Sequence, residues 1–493
     1  MLSKLEKDVL KFLLLLLVLL LGCRITNGWF AWSLVAVGCW ACIYDKGTVA
    51  ITCFVLVPSF IYFSPELVGE GHFGAVARIG QNLILFSMLL TPATRLSSTI
   101  RKNSEDYIPL RWLFVYVLVA IVSSVDGWMP LISYLKIFNF VLFMLGVIIL
   151  SKVIQASDDE LYQIRIILLG LATFIVVGSI LAYFIPSVGY SMEVNKAAAW
   201  GMNITGHDVA ARAGRKYFNG IMSHSQMLAC IVPLCLAWVL CDMLLIERQL
   251  SRLHLVVIIA GPILMYLSRS RTALLMFFIS ILVIYYCCIS LIKMPGDIKH
   301  RINGIMYVMV FSVVIIVIFA QIRNKTISRW IRKEDNMETD HRSVGEALTA
   351  SRMSLVEYNL NDFKLNPILG KGFQVMNWHD AAYRNKQISL LSAPIEKGVL
   401  PLMLLGETGV VGALVFVVFL FSFYKTCIRR QYRVLLCLFT TLMAGNMGEA
   451  SFFSPGGSAM QWTIAVIGGF SLDLIVKRQE KIVHSRSLKH ISN

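Results

Sequence analysis

The chain has 493 residues, of which 57% are apolar and 15% charged, and its mean hydropathy is +0.70. Soluble globular chains carry about 45–50% apolar and about 25% charged residues, so disordered, fibrous and ordinary soluble classes are excluded and a polytopic membrane protein remains. The net charge of +16 comes from 45 Lys+Arg against 29 Asp+Glu. Many of the basic residues sit in short loops between apolar runs, where they mark topology and not a nucleic-acid surface.

At the start of the chain, Lys4, Lys7 and Lys11 precede the apolar stretch Leu13–Leu21. Leu20-Leu21-Gly22-Cys23 resembles a lipoprotein cleavage box, but apolar sequence resumes at Trp29 where a lipoprotein would have a polar tether. An uncleaved first span is expected. The next run holds a lone CxxC, Cys39 and Cys42, with no second pair, so helix packing is expected there and not a metal or redox site. All 11 cysteines lie in or beside apolar runs, which argues against a disulfide framework.

Fourteen apolar runs follow one another: about 9–23, 28–44, 48–64, 74–92, 109–126, 131–151, 162–185, 222–245, 253–268, 270–292, 303–321, 398–424, 434–450 and 457–476. Some are short. The predicted fold is all-α, a polytopic membrane protein with about 12–14 transmembrane helices and one large periplasmic loop containing helix. With the N-terminus cytoplasmic, the cytoplasmic loops and tails carry 22 Lys+Arg and the short outside loops only three, Arg24, Arg269 and Arg271. A wrong span count would scramble that alternation, so both termini are expected on the cytoplasmic side.

The alternation divides the chain into a first membrane part at 1–321, a large outside loop at 322–397, three last spans at 398–476 and a basic tail at 477–493. A second outside loop falls at 186–221. In the large loop, Ser343-Val344-Gly345-Glu346 has the form of a capping box. Helical spacing then predicts a helix over about 344–365, stopped by Asn366-Pro367, with a turn at Gly370 and Gly372.

Several residues could carry chemistry. Ser268-Arg269-Ser270-Arg271-Thr272 interrupts two apolar runs at the outer side. Arginine at a membrane edge is costly, and its planar fork suits phosphate oxygens; the alternative is a turn whose arginines snorkel to headgroups. Gly214-Arg215-Lys216 precedes Gly220 and Ser223-His224-Ser225-Gln226 at another span entry, where an anionic ligand or interfacial anchoring would fit, with Arg212 as an alternative contact. Arg352 lies on the amphipathic loop helix, where a solvated face is the plain reading. Arg78, Lys136 and Arg165 lie within or near spans, and packing or snorkelling accounts for them as well as function does. Glu407 lies deep in an apolar run among Gly406, Gly409 and Gly412, which permit close packing or a helix break. It is read as a structural ion-pair member or a catalytic base. His379-Asp380 could pair a base with its orienting carboxylate, and His341 is the loop's other histidine. Glu66 and Glu70 are too few acids for a strong metal set.

Four stretches together resemble the O-antigen ligase/polymerase superfamily of bacterial envelope glycosyltransferases. They are Gly220 through Gln226, Leu267 through Leu274, Ser351-Arg352 through Asn366-Pro367-Ile368-Leu369-Gly370-Lys371-Gly372-Phe373, and Glu407-Thr408-Gly409-Val410-Val411-Gly412. Ligase-type members place a His-Asn pair about nine residues before that Glu, whereas this chain has Gly398-Val399 after Glu396-Lys397. The departure favours a polymerase-type or divergent member and leaves the base open among Glu396, Glu407 and His379.

The resemblance implies a polyprenyl-diphosphate-linked glycan as donor and a sugar hydroxyl of a glycan as acceptor, with membrane lipids around the site. Chain-length-regulating and export proteins are implied as further partners. It implies no cofactor and no metal. Arg215 and Arg271, then Arg352 and Lys397, would hold the diphosphate. A lipid-A ligase, a peptidoglycan-type polymerase of the related cell-shape class and a lipid-linked oligosaccharide flippase are the rival readings.

Overall fold

The structure is a computed structural model that describes residues 3–26, 28–44, 46–63, 67, 79–80, 82–87, 108–185, 218–222, 225–247, 251–268, 270–289, 353–375, 399–448 and 450–491. Among the described residues 87% are helical and there is no strand, only an isolated bridge between Phe63 and Met222. The helices are α1 (Lys4–Ile25), α2 (Phe30–Ile43), α3 (Gly47–Ser59), α4 (Ile108–Val125), α5 (Pro130–Ala156), α6 (Asp158–Phe184) and α7 (Ser225–Asp242). There follow α8 (Arg252–Leu267), α9 (Arg271–Ile284), α10 (Met353–Leu365), α11 (Leu400–Arg430), α12 (Arg433–Asn446), α13 (Pro455–Trp462) and α14 (Gly469–Ile491). Each predicted apolar run outside 74–92 and 303–321 coincides with a described helix.

Pro130–Gln155, Asp158–Phe184, Gln226–Glu247, Leu400–Arg430 and Ser458–Ile482 are long and apolar enough to cross a membrane, and shorter apolar helices accompany them. In such a chain the backbone must satisfy itself within helices, because lipid offers no hydrogen bonds. Helix starts follow local chemistry. Pro130 opens α5, where its missing N–H costs nothing. Ser157 caps α6 by accepting from Glu160 N–H at 3.2 Å, and Asp158, Asp159 and Glu160 face the positive end of that helix. A capping box also starts α1: Ser3 N–H donates to Glu6 Oε2 at 2.8 Å and Glu6 N–H donates to Ser3 Oγ at 3.2 Å. That first bond is the main reason the Glu6 carboxyl lies below its usual range. The box predicted at Ser343 and the start of the predicted loop helix lie outside the described residues, and α10 covers the remainder, ending at Leu365 ahead of Pro367 as expected.

One continuous apolar cluster joins nearly all the helices. α5 and α6 run between its two ends. One end gathers the start of α1, the α5–α6 junction, the end of α7, the start of α8 and the extension of α14. There Tyr162 donates to Asp8 at 3.0 Å, Arg252 N–H donates to Glu6 at 3.0 Å and Arg478 pairs with Asp158. Arg165 is buried at this end rather than snorkelling. Its fork grips Asp242 at 2.6 and 3.0 Å and Glu247 at 2.6 Å, while His254 Nε2 lies 2.9 Å from Asp242. The other end holds the α4–α5 turn, the bridge of Phe63 with Met222, the start of α9 and residues 366–375. α14 runs without interruption past residue 476, so the basic tail continues the last span as helix.

Candidate functional site

α11 packs along α4 and is interrupted two turns from its start. Gly409 has φ 64° and ψ −166°, a backbone region essentially restricted to glycine. An unbroken helix would bond Val410 N–H to Gly406 C=O and Val411 N–H to Glu407 C=O. Both of these bonds are taken over by a strap, residues 366–375. Val410 N–H donates to Pro367 C=O at 2.9 Å and Val411 N–H to Ile368 C=O at 3.3 Å. Lys371 N–H donates to Gly406 C=O at 2.9 Å and Gly372 N–H to Glu407 C=O at 3.0 Å. Each unsatisfied buried backbone group would cost about 1–3 kcal/mol, so the strap is what makes the break tolerable at this depth.

Glycines permit the contact. The strap turns at Gly370 and Gly372, with φ of 74° and 105°. A Cβ on Gly409 would stand 2.2 Å from the Ile368 carbonyl oxygen. The strap is also stitched to α4 and α5. Phe373 N–H donates to Ser124 Oγ of α4 at 3.3 Å, Ser133 Oγ donates to the Phe373 carbonyl at 2.6 Å and Lys136 Nζ to the Gln374 carbonyl at 2.8 Å, while the neighbouring Ser123 Oγ donates to the Glu407 carbonyl of α11. Trp128 N–H donates to Lys371 C=O at 3.0 Å, and its indole N–H donates to Asp362 at 3.2 Å. The Lys371 ammonium sits 5.4 Å from the Trp128 ring centroid. Phe373 anchors the strap in an aromatic cluster with Tyr116, Phe140 and Phe453, at centroid distances of 5.7–6.5 Å.

Glu407 is therefore a buried carboxylate, 2% exposed, on the last turn before a helix break. Arg271 is half-buried at the first position of α9, whose start is capped by Ser270 Oγ accepting from Ala273 N–H at 3.4 Å. Its guanidinium stands at the N-terminal end of that helix, where a cation opposes the helix dipole. The turn after α12 links the two regions. Its Gly448 lies against Thr272, and its Phe452 and Phe453 pack on Phe416 of α11 at 5.5 and 5.4 Å. Arg215, Arg352, His379, Glu396 and Lys397 lie outside the described residues, as do Arg78, His224, Arg269, His341, Glu66 and Glu70.

Ser123, Trp128 and Asp362 were not singled out in the sequence, because a serine or tryptophan at a helix end carries no distinctive spacing. For Lys136 the sequence leaves packing, snorkelling and function open, and the structure buries it, 2% exposed, with its ammonium bonded to the strap. The Asp242 and His254 partners of Arg165 also gave no motif. No protein-family model matches the chain, and no curated protein matches it.

Proposed function

We propose that the protein is a membrane glycosyltransferase of the O-antigen ligase/polymerase type. In this reading it transfers a glycan from a polyprenyl diphosphate to a sugar hydroxyl at the periplasmic face of a bacterial inner membrane, most simply in polysaccharide polymerisation. The observation that carries the proposal is the interlock of Asn366–Gly372 with Gly406–Val411. The two loop-side motifs of the resemblance, far apart in purpose when read singly, form one backbone unit around Glu407. Contacts at the helix ends support the sidedness, because each joins ends that the basic-residue alternation assigns to one side.

In the proposed reaction the acceptor hydroxyl attacks C1 of the donor sugar, the C1–O bond to diphosphate breaks, and charge grows on the departing diphosphate. Fixed guanidinium groups stabilise that charge more in the transition state than in the ground state. Arg271 and Arg215 are assigned that task, with Arg352 and Lys397 beside them. Glu407, His379 and Glu396 are the candidates to accept the hydroxyl proton. A flippase reading is less well supported, since the backbone groups freed by the break in α11 at Gly406, Glu407, Val410 and Val411 are bonded to the strap.

The test is reconstitution. Purified protein in liposomes is given polyprenyl-diphosphate-linked glycan and assayed for longer or transferred glycan and for released polyprenyl diphosphate. Cysteine reporters at Asn336, Lys386 and Ser487 are labelled in intact spheroplasts. Product together with labelling at the first two positions only is expected. Movement of intact lipid-linked glycan across the bilayer with no glycosidic bond formed would replace this reading with transport.

A further inference from the structure

The exposed apolar residues of α11 form one stripe. Val410, Leu414, Val417 and Phe421 are all exposed and follow one another at helical spacing. A helix long enough to cross a membrane turns such a stripe to lipid. Toward the start of α11 the stripe meets the break at Gly409. It continues past the break on the strap, where the Pro367 and Ile368 carbonyls accept from Val410 and Val411 N–H. Ile368 is 64% exposed, and Leu365, at the end of α10, is 61% exposed.

α10 shows the matching pattern. Asn359 and Asp362 are buried, with Asp362 accepting from the Trp128 indole, while Glu357, Asn361 and Lys364 form an exposed polar stripe beside Leu365. Polar groups turned inward, with charged and apolar stripes side by side outward, suit a helix lying in a membrane surface. The strap's backbone agrees. Asn366, Gly370, Lys371 and Gly372 donate their N–H groups to backbone carbonyls, Leu369 donates to Asn366 Oδ1 and Phe373 to Ser124 Oγ. A loop in water can leave such groups to solvent, but irregular backbone at membrane depth must bond them within the protein. α5 gives the depth. Its Ser133 and Lys136 bond the strap three and six residues past Pro130, about 4.5 and 9 Å along the axis at about 1.5 Å per residue.

We propose that Leu365, Pro367 and Ile368 form a lipid-contacting surface: α10 lies in the membrane interface and the strap re-enters the bilayer beside α11, with these three side chains among the acyl chains. Residues 365–372 then do not belong to the water-exposed part of the large loop. The proposal rests on the glycosyltransferase reading only for its consequence, that the centre around Glu407 lies at headgroup depth, where a membrane-borne donor carries its diphosphate.

Nitroxides attached singly to L365C, I368C, L414C and E357C, with reactive native thiols replaced, test this in liposomes. Collisions with oxygen, which concentrates among acyl chains, and with a water-soluble nickel chelate report what surrounds each label. L365C and I368C are expected to match the lipid-facing L414C, with oxygen-to-nickel ratios several-fold above that of E357C. All four side chains replaced are exposed, so the labels leave the packing intact. Nickel access at 365 and 368 equal to that of E357C places the surface in water and overturns the proposal. Shielding of both labels from both reagents means that protein covers the surface, and overturns it too. No substrate enters the measurement, so the lipid contact can hold while the enzymatic reading fails, or fail while that reading holds.

Discussion

Gly370 lies flat against the peptide of Glu407. A Cβ built on Gly370 would stand 2.3 Å from the Glu407 carbonyl carbon and 2.5 Å from the Thr408 nitrogen. No side chain can be accommodated there without driving the strap off α11. The sharpest mutational expectations come from that contact and its mirror at Gly409.

Gly370→Ala and Gly409→Ala should each lower the amount of folded protein and abolish the proposed glycan transfer. The left-handed backbone alone costs about 1–3 kcal/mol for a residue with a side chain, before any clash. Ser123→Ala removes one of two donors to the Glu407 carbonyl and should cost only about 1 kcal/mol. Thermal unfolding in detergent, scored by size-exclusion recovery, ranks the three. Equal losses for Ser123→Ala and Gly370→Ala would contradict the strap geometry.

The proposed diphosphate clamp depends on fork geometry as well as charge, so Arg271→Lys and Arg215→Lys should fail nearly as badly as their alanine counterparts. A contact made mainly in the transition state is worth roughly 2–4 kcal/mol, or about 30- to 1,000-fold in rate. Arg269→Lys should retain turnover. Product per unit of membrane-inserted protein is the measurement, with and without chelator. Full activity in both lysine variants would remove the clamp, and loss of wild-type activity on chelation would bring in a metal.

At the opposite end of the bundle, Arg165→Met strands the buried Asp242 beside a buried His254. Removing one partner of a buried pair costs about 3–5 kcal/mol. Asp242→Asn should cost less, because Arg165 keeps Glu247 at 2.6 Å. Turnover per folded molecule should be unchanged in either variant, since neither residue touches the strap. The order of melting temperatures checks the first statement, and active-fraction kinetics check the second.

Glu6 supplies a pH dependence. Its carboxyl is held below the ordinary 4.5, first by the Ser3 N–H and then, against some desolvation, by the Arg252 N–H. A depressed carboxyl stabilises the folded state above its unfolded value and loses that contribution as pH falls through its folded value. Docking of the start of α1 on α8 should therefore loosen below about pH 4.5. A nitroxide at Lys7 should become more mobile there in the wild type and show no such transition in Glu6→Gln.

Much of the helical framework was legible because bilayer length and apolar composition impose it. The Pro367 stop, the Gly370–Gly372 turn and a break among Gly406, Gly409 and Gly412 could all be read locally, since each follows from what proline or glycine allows the backbone to do. That these pieces interlock could not be read. Lys371 to Gly406 and Ser123 to Glu407 are pairings of backbone carbonyls, which carry no side-chain signature, and their partners are set by how α4 and α11 pack. Lys136 shows the same limit: its spacing fits snorkelling and burial equally, and only the position of the strap decides. The arrangement of Arg165 with Asp242 and His254 was likewise hidden, because two helix ends and a turn must meet before the charges do.

The interlock also constrains how the chain is made. Ser123 precedes Glu407 by 284 residues, so α4 and α5 are synthesised long before their partner on α11 leaves the ribosome. Until α11 arrives, Pro367, Ile368, Lys371 and Gly372 have no helix to bond. Until the strap docks, residues 400–430 can bond fully only as an unbroken rod. If α11 inserts as a continuous helix, forming the break at Gly409 requires the strap to displace the Val410–Gly406 and Val411–Glu407 helical bonds. A ribosome-stalled chain ending within α11 should hold the first spans but not the finished site.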